Sequence, residues 1–305
     1  MDEKRRAFLS TVGIASVGGT IALAGCAGNG SNDGKAGGAT TRTTTQTPDG
    51  NGGKPTQTVT TSKIRAGTEQ ETTLYEIQHD RPGSTAFVVG GMHGNEESGY
   101  WAAQDILKWK IDAGTLVVLP ETNTQAVEHH RRKWPKGMDL NRKFPVGKPP
   151  ENALAEEIWD TIVGHSPDVL IDLHSSKGIL RREGDEGVGQ NVFRSRHDEV
   201  TRSIQTAIEL LNDEYVTGYD PIYDFVQTPA SETKYATAPM LVNKTRHDQE
   251  MPSCLFEVTQ DDVKPKKRTQ WTKVFVASML DTWGIRPLQS DEQKTTTETT
   301  ATTNQ

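Results

Sequence analysis

The stretch Phe87–Glu97, FVVGGMHGNEE, decides how the whole chain is read. Its apolar opening has strand character, Gly90 and Gly91 turn the chain, and His93 and Glu96 follow three residues apart, where a loop enters a helix. From such a place both side chains can be aimed at one point. Imidazole and carboxylate are ligands for Zn²⁺, and a catalytic zinc site needs a third protein ligand and an open position for water. A His-x-x-Glu pair also arises by chance on helix surfaces, so the rest of the chain must supply the third ligand and the groups that work beside it.

Working outward, Thr72–Gln78 reads as a strand, Thr85–Val89 as a short, mostly apolar one, and Thr115–Leu119 as another of buried type before Pro120. Asp168–Leu173 and Ser253–Thr259 continue the series. Helical composition or spacing marks Glu97–Lys110, Asn152–Val163, His197–Leu211 and Gln270–Trp283. Nearly continuous apolar strands alternating with helices predict an α/β fold, a three-layer α/β/α sandwich around a largely parallel mixed sheet. Functional groups in such sheets gather beyond the carboxyl ends of the strands. His93, His174 and Glu257 all stand at the ends of predicted strands.

The chain has 305 residues, 33% of them hydrophobic, and a mean hydropathy of −0.65, so part of it must lie outside a packed core. A formal charge of −7 argues against a general nucleic-acid binder, which needs concentrated Lys and Arg. The basic cluster His129–Lys133 is local.

Both ends look unlike the middle. Lys4, Arg5 and Arg6 precede an uncharged stretch, Ala7–Gly25, that ends in Leu23-Ala24-Gly25-Cys26. The arginine pair followed by Ala7-Phe8-Leu9 resembles a twin-arginine export signal, and the Leu-Ala-Gly-Cys box resembles a lipoprotein processing site with Cys26 as the lipid-bearing residue. An uncleaved anchor is the alternative, since 19 uncharged residues can just span a bilayer. The expected organisation is an export signal at 1–25, a lipid-anchored flexible linker at 26–63, a catalytic domain at 64–288 and a disordered Thr-rich tail at 289–305. On this reading the protein is exported and tethered to the outer face of the cytoplasmic membrane. With Cys26 lipidated, Cys254 is left without a disulfide partner.

His174, closing the run VLIDLHSS, would complete a two-His, one-Glu ligand set; the alternative is a partly buried structural histidine. Glu257 lies in Cys254-Leu255-Phe256-Glu257-Val258, where a carboxylate is costly unless paired. It is either a general base or a salt-bridged core residue. Asn123–Pro145 is unusually polar, and its Arg131, Arg132 and Arg142 either face a carboxylate substrate or form a solvated patch.

HGNEE, DLNRKFP, DLHSS and LFEVT, in this order and at these intervals, resemble the zinc metallocarboxypeptidase superfamily, and within it the succinylglutamate desuccinylase and aspartoacylase group. The resemblance spans about Thr72 to Trp283. It implies a zinc exopeptidase-like fold in which His93, Glu96 and His174 bind zinc and Glu257 is the catalytic glutamate. It further implies that Asn141 and Arg142 clamp the substrate carboxylate and that Asp139 bonds the far nitrogen of His93. Arg132 would face the oxyanion, with Arg131 as the adjacent competitor. A mobile substrate tyrosine is matched best by Tyr235, with Tyr219 and Tyr223 behind it. Two departures stand out. Asn123 is followed by Thr124 where the family commonly has Asn-Pro, and the chain leaves no room for the C-terminal β-domain of the aspartoacylase group. The expected substrate is therefore either a small N-acyl amino acid or a peptide with a free C-terminal carboxylate.

Overall fold

A computed structural model describes residues 56–288. The export signal, Cys26, most of the expected linker and the Thr-rich tail lie outside the described residues. Among the described residues, no helix is long and apolar enough to cross a membrane.

The first described element contradicts the expected linker boundary at residue 63. Gln57–Ile64 form β1, paired antiparallel with β2, Thr72–His79, over eight positions from Gln57↔His79 to Ile64↔Thr72. Thr and Val recur through QTVTTSKI, and β-branched side chains suit a half-buried pleated surface whatever the polarity of the preceding residues. Next come β3 (Thr85–Val89), α1 (Glu97–Ile106), β4 (Lys110–Ile111) and β5 (Thr115–Leu119). The helix expected to reach Lys110 stops at Ile106, because Lys110–Ile111 leave it to pair with Pro287–Leu288. A short α2 (Thr124–Glu128), α3 (Ala153–His165), β6 (Val169–Ser176), β7 (Asn191–Arg194) and α4 (Asp198–Glu214) follow. The described part closes with β8 (Val226–Pro229), α5 (Leu241–Asp248), β9 (Ser253–Thr259), α6 (Pro265–Thr282) and β10 (Pro287–Leu288).

Eight strands form one mixed sheet in the order β1-β2-β5-β3-β6-β9-β7-β8. The central pairs β5·β3, β3·β6 and β6·β9 are parallel. Alternation along each strand then divides the core. Val88, Ile171, Leu173, Cys254 and Phe256 pack with α1, α4 and α6, whose Ala103, Ile204 and Phe275 are buried in the same cluster. Phe87, Val89 and Leu170 face the other way, onto Leu154, Ile158 and Ile162 of α3. The sheet is therefore covered on both faces, and its parallel centre brings the carboxyl ends of β3, β6 and β9 to one edge.

Candidate metal centre and active site

Two glycines shape the loop after β3. Gly91 has φ +69°, and at Gly94 an added Cβ would fall 1.6 Å from the Ala126 carbonyl oxygen. Backbone contact this close, together with Gly94 N donating to the Arg131 carbonyl at 3.0 Å, seats the loop against α2. Asn123 holds α2 from below: its Oδ1 accepts from Ala126 N at 3.1 Å, and its Nδ2 donates to the Trp134 carbonyl at 3.2 Å. Gln260 Nε2 donates to the Asn95 carbonyl and to Ser175 Oγ, joining the loop to the end of β6.

This scaffold brings His93, Glu96 and His174 together, all almost fully buried, with one donor atom from each lying within 4.8 Å of the others. Glu96 Oε2 lies 2.8 Å from His174 Nδ1 and accepts from the Ser175 backbone N–H at 3.1 Å. His93 Nε2 lies 2.9 Å from Asp139 Oδ1, which turns Nδ1 toward the cluster. That Nδ1 stands 2.9 Å from Glu96 Oε1 yet makes no directed hydrogen bond. The two atoms sit side by side, as donors do when they share a third point. Two nitrogens and one oxygen, with a carboxylate behind one imidazole, form the donor chemistry that suits a divalent metal such as Zn²⁺.

The electrostatics agree. Burial opposes charge on Glu96, but the two imidazoles outweigh it and hold the carboxyl well below its ordinary value. Burial likewise opposes charge on His174, yet Asp172 and Glu96 raise its proton affinity well above the usual imidazole range. Asp139 is lowered against the effect of its own burial, by the His93 bond and by the charges of His93, Arg132 and Arg142. Buried carboxylates crowd the site, and a cation placed among them would be strongly favoured.

Glu257 stands beside the cluster. It is the Cα partner of His174 across β6·β9, and its Oε2 is buried without a hydrogen bond. Burial first, then the charge of Glu96, pushes its carboxyl up to about 8. It lies within β9, two residues before the strand ends.

A cavity of about 250 Å³ opens onto these groups and is lined by His93, His174 and Glu257 together with Arg132, Asn141, Arg142 and Tyr235. The two adjacent arginines separate here. Arg132 Nη1 lies 2.7 Å from Glu96 Oε1 and its Nε 3.3 Å from Asp139 Oδ2, whereas the Arg131 side chain is exposed and does not line the cavity. Arg142 Nη1 donates to the Asn141 carbonyl at 2.9 Å, and among the described residues no carboxylate pairs with this guanidinium. Asn141 is partly committed elsewhere, its Oδ1 accepting from Leu241 N at 3.0 Å, while its Nδ2 faces His174 Nε2 at 3.5 Å. Tyr235 reaches the cavity; Tyr219 and Tyr223 pack against each other instead, with Tyr219 edge-on to Trp271.

Sequence reasoning misses Asp172. This side chain is fully buried in β6, neither oxygen is hydrogen-bonded, and Oδ2 lies 3.2 Å from His174 Nε2. The signal was present: an acid in an apolar strand, two residues before a candidate ligand, shares that ligand's face. It also misses the far wall of the cavity, built by Phe193, Ala230, Val242 and Leu255.

Residues 82–180 match the succinylglutamate desuccinylase/aspartoacylase catalytic domain. Over 105 residues the chain is 36% identical to the N-alpha-acetyl-L-2,4-diaminobutyric acid deacetylase of Halomonas elongata, covering 32% of this chain and 30% of that relative. Among solved structures, Csd4 of Helicobacter pylori, described as a D,L-carboxypeptidase, aligns with a TM-score of 0.59 at 17% identity, over 68% of this chain and 52% of that one. The ectoine utilization protein EutE (DoeB) of Ruegeria pomeroyi aligns with a TM-score of 0.53 at 17% identity, over 81% and 73%. These structural likenesses establish the fold. The chain spans less than a third of the curated relative's length and about half of Csd4's.

Proposed function

We propose that the protein is a zinc-dependent hydrolase that cleaves an amide bond next to a free carboxylate, acting as an N-acyl amino acid deacylase. One observation carries this reading: the two imidazoles of a convergent His–Glu–His donor set, an unpaired buried carboxyl at Glu257 and a guanidinium without an acidic partner at Arg142 all line a single cavity. The match of residues 82–180 and the deacetylase relative support it.

Zn²⁺ held by His93, Glu96 and His174 would act there as a Lewis acid toward the scissile carbonyl and the attacking water. Arg142, with the Asn141 amide beside it, binds the substrate carboxylate and so selects the bond presented to Glu257. Glu257 takes a proton from the attacking water and returns it to the leaving amine. Arg132, on the loop held by Asn123, meets the negative charge that develops on the carbonyl oxygen. Asp139 keeps His93 in the tautomer that turns Nδ1 inward.

A second reading, an extracytoplasmic metallocarboxypeptidase acting on peptide C-termini, draws on the likeness to Csd4 and on the lipoprotein-like N-terminus. Hydrolysis of N-acetyl amino acids and of short peptides with free or amidated C-termini, with and without chelator, separates the two. Chelator-sensitive release of acetate supports the deacylase, chelator-sensitive release of the last residue of a peptide supports the carboxypeptidase, and turnover of neither overturns both. Export and anchoring through Cys26 belong to the same proposal, and mass spectrometry of the mature protein from its host tests them. An unmodified Cys26 overturns the anchor.

A further inference from the structure

The cavity has two chemically different ends. At one end lie His93, His174, Glu257 and Arg142; at the other, Phe193, Ala230, Val242 and Leu255 form a separate apolar cluster, with Val188 and Met240 packed against it. Sheet register sets the distance between them. Phe193 pairs with Leu255 across β7·β9, and Leu255 precedes Glu257 by two residues, so the apolar wall begins one step along the same face as the catalytic carboxyl. α5 ties the other side together. Leu241 N donates to Asn141 Oδ1, and Phe144 N donates to the Pro239 carbonyl, which holds Val242 close to the turn that carries Arg142.

The polar groups at the apolar end are already used. Asn243 Nδ2 donates to the Tyr235 and Ala238 carbonyls, and its Oδ1 accepts from Arg246 Nε. Thr233 Oγ1 donates to the Ala230 carbonyl. Glu186, the one charged residue lining the cavity away from the metal-site end, is exposed. An anionic substrate side chain directed there would lose its hydration and gain no partner, and a cationic one would meet only the exposed Glu186, a cost that disfavours binding of either.

We infer that this wall is the side-chain subsite of the enzyme, and that it selects an uncharged, aliphatic or thioether side chain on the carbon bearing the substrate carboxylate. The inference rests on the proposed hydrolase reading and narrows its substrate class. A carboxylate held at Arg142 leaves the neighbouring side chain facing Val242, Leu255 and Phe193. The cavity's roughly 250 Å³ falls below the ~300–1,000 Å³ common for larger ligands and suits a single amino-acid unit.

The test uses the zinc-loaded protein in two assays. In the first, kcat/KM is measured for N-acetyl-leucine, N-acetyl-methionine, N-acetyl-glutamate and N-acetyl-2,4-diaminobutyrate, together with leucine carrying acyl groups of increasing length. Leucine and methionine substrates are expected to exceed the charged ones by at least about tenfold, with little effect of acyl length. In the second, calorimetry compares binding of free leucine and free glutamate, and leucine is expected to bind at least about tenfold tighter. Val188→Lys, at a half-buried position in the cavity lining, is expected to reduce both preferences and raise the use of glutamate. Turnover that favours charged side chains, or follows the acyl chain alone, overturns the subsite while leaving the hydrolase standing. Selective leucine binding without turnover of any substrate keeps the subsite and overturns the hydrolase. Equal binding of the two amino acids overturns the subsite.

Discussion

His174 and Glu257 are register partners on adjacent parallel strands, so a candidate metal ligand and the carboxyl expected to move the proton are held side by side by main-chain hydrogen bonds. Their spacing does not depend on a loop. Neighbouring strands lie about 4.8 Å apart, so the two side chains spring from adjacent points on one face of the sheet. The same pairing sets Asp172 beside Leu255, so this buried acid, 3.2 Å from His174 Nε2, stands at the edge of the apolar wall.

Glu257→Gln keeps the shape of the side chain and removes its ability to take up a proton. The variant is expected to retain full metal content and to lose at least about 100-fold in kcat. Metal analysis alongside steady-state kinetics checks this, and unchanged kcat would remove Glu257 as the base.

His174→Ala deletes one of the three converging donors. Metal content after desalting is expected to fall from near one per chain to near zero. Full occupancy in the purified variant would mean that another side chain completes the set.

Arg142 has no acidic partner among the described residues, so its loss should be felt by the substrate rather than by the fold. Arg142→Ala is expected to raise KM for free-carboxylate substrates about 10- to 100-fold, the scale of a charged hydrogen bond, and to change Tm little. Amide-capped analogues should be affected far less; an equal loss on both refutes the clamp.

Lys244 is buried on α5, where its Nζ donates to the Pro145 and Lys148 carbonyls and pairs with Asp248 at 2.6 Å. It fastens the segment following Arg142 to α5. Lys244→Met leaves the Pro145 and Lys148 carbonyls without this donor and Asp248 with only the Gly147 N–H, and is expected to lower stability by about 3 kcal/mol, read by denaturant unfolding. A loss under about 0.5 kcal/mol would show that the segment is held by its apolar contacts alone.

Glu257 also makes the metal-free protein sensitive to pH. Its carboxyl is raised from 4.5 in the open chain to about 8, so the folded state holds this proton more tightly. The stabilisation is fully present below about 4.5 and is lost as pH rises through about 8. In chelator, Tm should therefore fall between pH 5 and 9 more steeply for the native protein than for Glu257→Gln. Parallel curves would show that Glu257 does not carry this linkage.

Local pattern accounts for the parts of the fold that were legible in advance. β3, β5 and β9 fall on their expected residues because a strand buried on both faces is written as a continuous apolar run. The neighbouring elements were harder. β1 is hidden by threonines that resemble the tract before it, and β7 and β8, of four residues each, are defined by their partners more than by their composition. α5, polar over most of its length, carries little periodic signal, yet it supplies Val242 to the cavity.

By itself the sequence determined the alternation of strands and helices and marked His93, Glu96, His174 and Glu257 as polar groups beside buried strands, because burial and turn chemistry act over a few residues. Only the tertiary structure decided that these groups converge, that Arg132 rather than Arg131 enters the cavity, that Tyr235 rather than Tyr219 or Tyr223 reaches it, and that an apolar wall stands opposite. The physical reason is that convergence depends on the pairing of strands some 80 residues apart and on the path of a loop seated by close glycine contacts and a few hydrogen bonds, and neither leaves a periodic trace in the chain.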